Sequence, residues 1–273
     1  MKQVLFVGAG RQFPKGPFAF LRFMQQEERV HARALFFKPV DQASLTAVAM
    51  SSGLTSIMQL DAKEQEAIAT HKALFAEECG GQGIGYSIHD NDQPWDRELL
   101  IRESRFADLI LISGELFYPD AGGRQPNAYL QETLHAAECP VLIVPETFTN
   151  IGHLFMAYDG SRESCYAIKQ FCYLFPNLVD LPTEVVYVKE ESSQAIPDLG
   201  NLKQFTRLKF NCMNFSKLHF KAAEYFATWI SEKEHVLLVT GSFGRSPFSY
   251  IAQQSFARDV IRDHQVPVLI AHH

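Results

Sequence analysis

No run in the 273 residues approaches the roughly 20 consecutive apolar residues that span a bilayer, so no membrane partner is expected. The start, MKQVLFVGAG, lacks the apolar core and small-residue cleavage site of a signal peptide, which points to a cytoplasmic protein. Cysteine is sparse. Five residues, Cys79, Cys139, Cys165, Cys172 and Cys212, are an odd number without framework spacing and read as reduced thiols. Cys165 and Cys172 stand seven apart on one predicted helix face and read as buried apolar packing. Positive charge is also short, 25 Lys and Arg against 31 Asp and Glu, which excludes a duplex-binding surface and a nucleic-acid partner. The P-loop, the Gly-x-Ser-x-Gly elbow and the His-Glu-x-x-His pair are all missing, and no Cys/His spacing fits zinc. No catalytic residue and no metal site are therefore indicated. Asp90 with Asp92 read as an exposed turn, and His272 with His273 as a solvated tail.

What is present is a globular balance, 47% apolar and 21% charged, with phenylalanine used 22 times. Short apolar runs recur: VLFVGAG (4–10), ARALFFK (32–38), DLILISG (108–114) and VLIVPE (141–146), then LFMAYDG (154–160), EVVYVKE (184–190), HVLLVTG (235–241) and VPVLIAH (266–272). Runs this apolar suit strands buried on both faces of a parallel sheet. IGYSIHD (84–90) and RLKFNCM (207–213) supply a weaker candidate strand in each half.

The halves superpose by counting. Gly114 to Pro140 and Gly241 to Pro267 both span 26 positions. Gly10 to Gly160 is 150 and Lys38 to Lys189 is 151, whereas Gly114 to Gly241 is 127. The first copy thus carries about 24 extra residues, which the helical stretch Ser44–Cys79 can hold. Between strands, Cys165, Ile168, Phe171, Cys172 and Phe175 form one helix stripe with Ser161 as its cap, and Phe248, Ile251, Phe256 and Val260 form another. Phe18–Met24 fits a core-facing helix. Strand and helix alternation gives doubly wound α/β domains, divided between Glu146 and His153 into residues 1–149 and 150–273.

The informative loop starts at Gly241. Gly241 and Gly244 are followed by Arg245 and Ser246, and later by Gln254 and Ser255. Glycines at a strand's carboxyl end let backbone N–H groups approach phosphate, and a following helix start adds unpaired donors. This stretch resembles the closing segment of universal stress proteins, whose nucleotide-binding members carry Gly, two residues, Gly, nine residues, Gly, then Ser or Thr. Gly241, Gly244 and Ser255 match, while Gln254 stands where the third glycine belongs. Asp159, Gly160 and Ser161 match that family's first strand end, and the resemblance covers nearly all of residues 151–273.

The resemblance implies two tandem doubly wound parallel-sheet domains of the HUP/adenine nucleotide alpha hydrolase-like class, related by a pseudo-two-fold axis. It implies ATP or another adenine nucleotide as ligand, with Asp159 and roughly Val188 by the adenine, and Gly160 beside Asp159. The loop of Gly241, Gly244, Arg245, Ser246 and Ser255 handles ribose and phosphates, and Gln254 weakens phosphate binding or abolishes it. It also implies pairing through the strand after the last helix; in a tandem chain, VLIVPE and PVLIAHH can pair internally and blunt both edges, with a homodimer as the alternative.

Blander readings stand beside these. Gly241 and Gly244 also suit a strand-to-helix turn, and Asp159 with Ser161 suits a helix cap. In the first copy, Ala9, Phe117, Asn127 and Ala128 fall where Asp159, Gly244, Gln254 and Ser255 stand, and Glu115 would repel phosphate. The GAG of 8–10 lacks the third glycine of a dinucleotide loop, because Phe13 holds that place. Three functions remain: a nucleotide-holding stress-signalling module, a nucleotide-free scaffold for protein partners, and a slow phosphohydrolase, the last disfavoured because no base, nucleophile or metal set is evident.

Overall fold

A computed structural model describes residues 1–9, 12–37, 54–89, 97–117, 136–189, 195–219, 230, 233, 235–241 and 266–271. The first half runs β1 (Lys2–Ala9), α1 (Lys15–Glu27), β2 (Val30–Phe37), α2 (Leu54–Gln82), β3 (Gly85–Ile88), α3 (Arg97–Ser104), β4 (Leu109–Ser113), the single turn α4 (Gly114–Phe117) and β5 (Val141–Val144). The second runs β6 (His153–Tyr158), α5 (Arg162–Leu174), β7 (Thr183–Lys189), α6 (Leu199–Arg207), β8 (Met213–His219), β9 (Val236–Thr240) and β10 (Val268–Ile270).

Central strands such as LILIS of β4 and VLLVT of β9 are apolar up to their closing Ser113 and Thr240 because both their faces are covered, and every residue in them is buried. Against one face pack Phe20, Leu21 and Met24 of α1, Phe75 of α2 and Ile168 and Phe171 of α5. Against the other lie Leu99 and Leu100 of α3. The Ser161 side chain caps α5, its Oγ accepting from the Ser164 N–H at 3.1 Å.

The ten strands form one sheet, ordered β3-β2-β1-β4-β5-β10-β9-β6-β7-β8. Neighbours are parallel except β5 and β10, which run antiparallel with Leu142 opposite Leu269. VLIVPE and PVLIAHH thus pair internally, as the tandem arrangement implied, and the two expected parallel-sheet domains share one continuous sheet. Each half would end on an all-apolar edge strand, VLIV or VLI, with unpaired N–H and C=O groups, and joining those edges satisfies both. Read outward from the junction, β5-β4-β1-β2-β3 mirrors β10-β9-β6-β7-β8.

Two further expectations change and one holds. RLKFNCM is not a strand: α6 extends to Arg207, and the strand is Met213–His219, which follows a turn. The extra length of the first half does lie between its second and third strands, where α2 has 29 residues and its counterpart α6 has 9. Cys172 is buried, but Cys165, on the same helix, is exposed.

Pairing also shifts the internal alignment by one residue in β4. Val7 pairs with Ile112, and Met156 with Val239. Leu109 and Leu111 share a core face with Leu237 and Val239, so Ser113, not Gly114, is the counterpart of Gly241. The count from Gly114 to Pro140 missed this because a one-residue slip leaves the apolar content of a doubly buried strand unchanged.

Candidate functional site

In open α/β sheets, ligands bind beyond the carboxyl ends of strands, where onward connections run in opposite directions. β6 lies between β7 and β9, so the chain leaves β6 toward one side and returns to β9 on the other. The crevice above β6 and β9 is such a switch point. Asp159 and Gly160 leave β6 there, and Gly241 leaves β9. Val188 lies in β7, paired with Leu218. Gly244, Arg245, Ser246, Gln254 and Ser255 lie outside the described residues, as do Asp90, Asp92, Asn127, Ala128, His272 and His273.

Local chemistry explains each described position. Asp159 is exposed, and its Oδ1 accepts from the Ser161 N–H at 2.9 Å, closing an Asx turn that feeds the α5 cap. Gly160 has φ of +84°, a conformation that disfavours any side chain, and a Cβ there would meet Pro197 at 2.7 Å. The Tyr158 hydroxyl donates to the Pro197 carbonyl at 3.0 Å. Pro197 therefore lies against the β6 end of the crevice, followed by Asp198 at φ 47°. The sequence reading missed Tyr158, Pro197 and Asp198; the turn-forming Pro-Asp-Leu-Gly stretch was the available signal.

Gly241 is buried, and a Cβ on it would lie 2.1 Å from the Glu163 carbonyl carbon, in the first turn of α5. Its lack of a side chain is required by helix packing. Two groups nearby are held in their neutral forms. Burial first, then Cys165 and Asp198, push the Tyr158 hydroxyl up to about 12. Partial desolvation raises the Cys165 thiol even though the residue reaches solvent, against a hydrogen bond from Tyr158 that lowers it. Neither is a ready nucleophile at neutral pH.

The equivalent crevice in the first half is filled by the chain itself. Glu146 follows β5, and its Oε2 accepts from the Gly16 N–H at 2.9 Å, in the first turn of α1. Ser113 Oγ lies 2.9 Å from Glu146 Oε1 and 2.8 Å from Glu115 Oε2. The carboxylate of Glu146 thus takes the position an anion would take at that helix start. The start of α1 also packs tightly here: a Cβ on Gly16 would lie 2.0 Å from the Pro145 carbonyl oxygen. In the first half the missing side chain is thus on the helix, at Gly16, and Ser113 stands where the second half requires Gly241. The pairing puts Ala9 at the position of Asp159.

Among the described residues, no three His, Cys, Asp or Glu side chains form a group able to hold a metal ion, and no helix is long and apolar enough to cross a membrane.

No protein-family model matches the chain, and no curated protein sequence does. Solved structures match it throughout. A universal stress protein from Archaeoglobus fulgidus DSM 4304 superposes with a TM-score of 0.67 at 14% identity, over 98% of this chain and 96% of its own. A protein of unknown function from Pseudomonas aeruginosa PAO1 gives 0.59 at 14% identity, over 100% and 92%. A protein provisionally named a universal stress protein, from Pseudomonas aeruginosa UCBPP-PA14, gives 0.55 at 13% identity, over 100% and 93%. These neighbours overturn the HUP/adenine nucleotide alpha hydrolase-like class expected from the sequence. At this identity the likeness concerns architecture, and that architecture is the universal stress protein fold.

Proposed function

We propose that the chain is a stress-response and signalling module of the universal stress protein type, holding ATP or another adenine nucleotide in the second of two tandem domains, residues 150–273. The observation that carries this reading is the asymmetry of the two switch points. Asp159, Gly160 and Gly241 border the one above β6 and β9, whereas Glu146 fills the one above β1 and β4. In this reading Asp159 and the backbone at Val188 take the adenine. Gly241, Gly244, Arg245, Ser246 and Ser255 take ribose and phosphates, and Gln254 weakens the phosphate contacts. Residues 1–149 form the domain with the degenerate site. Turnover is expected to be negligible, because the sequence shows no base, nucleophile or metal set near the loop that could activate water.

Titration calorimetry of the full chain with ATP tests it. At most one site per chain is expected, lost in Asp159→Ala and strengthened in Gln254→Gly, with adenosine less affected by the latter. Two equivalent sites would sink the reading.

A second reading, a nucleotide-free scaffold for protein partners in the cytoplasm, is favoured by one observation. Both described glycines of the crevice have packing reasons, Gly241 against Glu163 and Gly160 against Pro197. Absence of any heat with ATP, ADP and AMP in both the natural chain and Gln254→Gly would select it.

A further inference from the structure

A second concavity lies far from either switch point. It is a cleft of about 280 Å³ beside the amino-terminal end of β1, lined by Gln3, Leu5, Arg33, Glu103, Phe106 and Ala107. Leu5 faces the side of the sheet covered by α3, opposite α1 and α5. β2 reads HARALFF, an apolar strand interrupted at Arg33 on that same side.

The charges in the cleft are incompletely matched. The Glu103 side chain is 9% exposed. Arg33 Nη1 lies 3.0 Å from Glu103 Oε2, but without the alignment of a hydrogen bond, so the contact is an ion pair and that oxygen has no hydrogen-bond donor among the described residues. His89 Nε2 stands 3.9 Å from Glu103 Oε1, and its buried Nδ1 is also unbonded. A guanidinium offers five N–H donors, and Arg33 has Glu103 as its one ionic partner among the described residues. A buried carboxylate normally meets its lone pairs with donors, because leaving them unmet forfeits the solvation it had in water. At the rim, the Phe106 ring is 74% exposed.

We infer that this cleft binds a small zwitterion of amino-acid size with an apolar side chain. Its carboxylate pairs with the free edge of the Arg33 guanidinium. Its ammonium pairs with the Glu103 carboxylate, and its side chain covers Phe106. A simple anion would meet Glu103, and a simple cation would meet Arg33. Only a molecule carrying both charges on neighbouring atoms satisfies the pair. The volume accommodates one such molecule.

The probe is L-phenylalanine, titrated into the full chain by calorimetry and by ligand-observed NMR, beside 3-phenylpropanoate and phenethylamine, which each lack one charge. Saturable binding with Kd of about 1 mM or tighter is expected, with both single-charge analogues at least about tenfold weaker. Phe106→Ser and Arg33→Met should each weaken binding by about tenfold while circular dichroism is unchanged. Phe106 is largely in solvent, so its variant folds even if changes at Glu103 do not. ATP should not compete. Absence of saturation, equal binding of all three compounds, or unchanged binding in both variants overturns the inference and leaves Arg33 and Glu103 as a structural ion pair.

Discussion

Gly241 shows how one residue type serves two purposes that a sequence cannot separate. In the sequence it reads as a backbone donor site for phosphate. In the structure it is the floor on which the first turn of α5 rests. The contact is with backbone atoms, which cannot swing aside as a side-chain tip can. Gly241→Ala should therefore destabilise the chain by about 1–3 kcal/mol, the usual cost of overpacking. Urea unfolding of the variant checks this, and an unchanged midpoint would mean that α5 can retreat freely. The thiols give a second prediction at this scale. Burial pushes Cys79 from an ordinary 9 to about 12, and Cys172 to about 11. Both should resist alkylation at neutral pH until the chain unfolds, while exposed Cys212 reacts at once. With Tyr158 also raised to about 12, these groups hold their protons more tightly folded than unfolded. Their stabilisation is complete below about pH 9 and is lost as pH climbs toward 12, because there the unfolded chain releases protons first. Urea midpoints that stay flat from pH 8 to pH 11 would contradict the burial of these groups. Much of this scale was legible: Ser161 was expected to cap and does. Tyr158 and Pro197 were not, since their contact joins residues 39 positions apart.

Between residue and fold, the controlling variable is where a helix begins. α1 has Pro14 at its cap position, which offers no side-chain acceptor. Glu146 supplies one from across the molecule, accepting from Gly16 N–H while Ser113 Oγ lies within hydrogen-bond reach. It is a cap delivered by tertiary structure, so no local pattern such as Ser-x-x-Glu announces it. Glu146→Ala should cost about 1–2 kcal/mol, the range of a lost cap, and Glu146→Gln should restore most of it. Equal loss in both variants would show that charge at the helix start outweighs the hydrogen bond. The one-residue error in matching β4 with β9 has a different root. Sequence counting matched Gly114 with Gly241 as strand-end glycines, but the first-half glycine that meets backbone closely is Gly16 on α1, and Ser113 holds the strand position. Strand existence was readable from apolar runs, and strand register was not, because runs apolar on both faces carry no phase.

At the scale of the whole molecule, the two halves share more than a joined edge. Both core clusters run through the junction, each containing residues of β4, β5, β6, β9 and β10. Phe20 of α1 packs on Phe148 of the connector at 4.9 Å and on Phe175 after α5 at 5.9 Å. The Asn177 side chain donates to the Glu27 carbonyl. A half cut free at residue 150 would expose that aromatic face together with an unpaired apolar strand, VLIV or VLI, the combination that drives edge-to-edge association. The full chain should accordingly unfold in one cooperative transition, with calorimetric and van't Hoff enthalpies equal. Residues 1–149 and 150–273, made separately, should self-associate or aggregate, and should form a one-to-one complex when refolded together. Analytical ultracentrifugation of each half and of the mixture decides it. If either half sediments as a folded monomer, the junction is a contact between independent domains, and a homodimer through β5 or β10 becomes open to each half. If neither does, both junction strands are consumed within one chain. Further self-association must then use the outer strands β3 and β8 or a helical face, because the edge through which universal stress proteins are expected to pair is already filled.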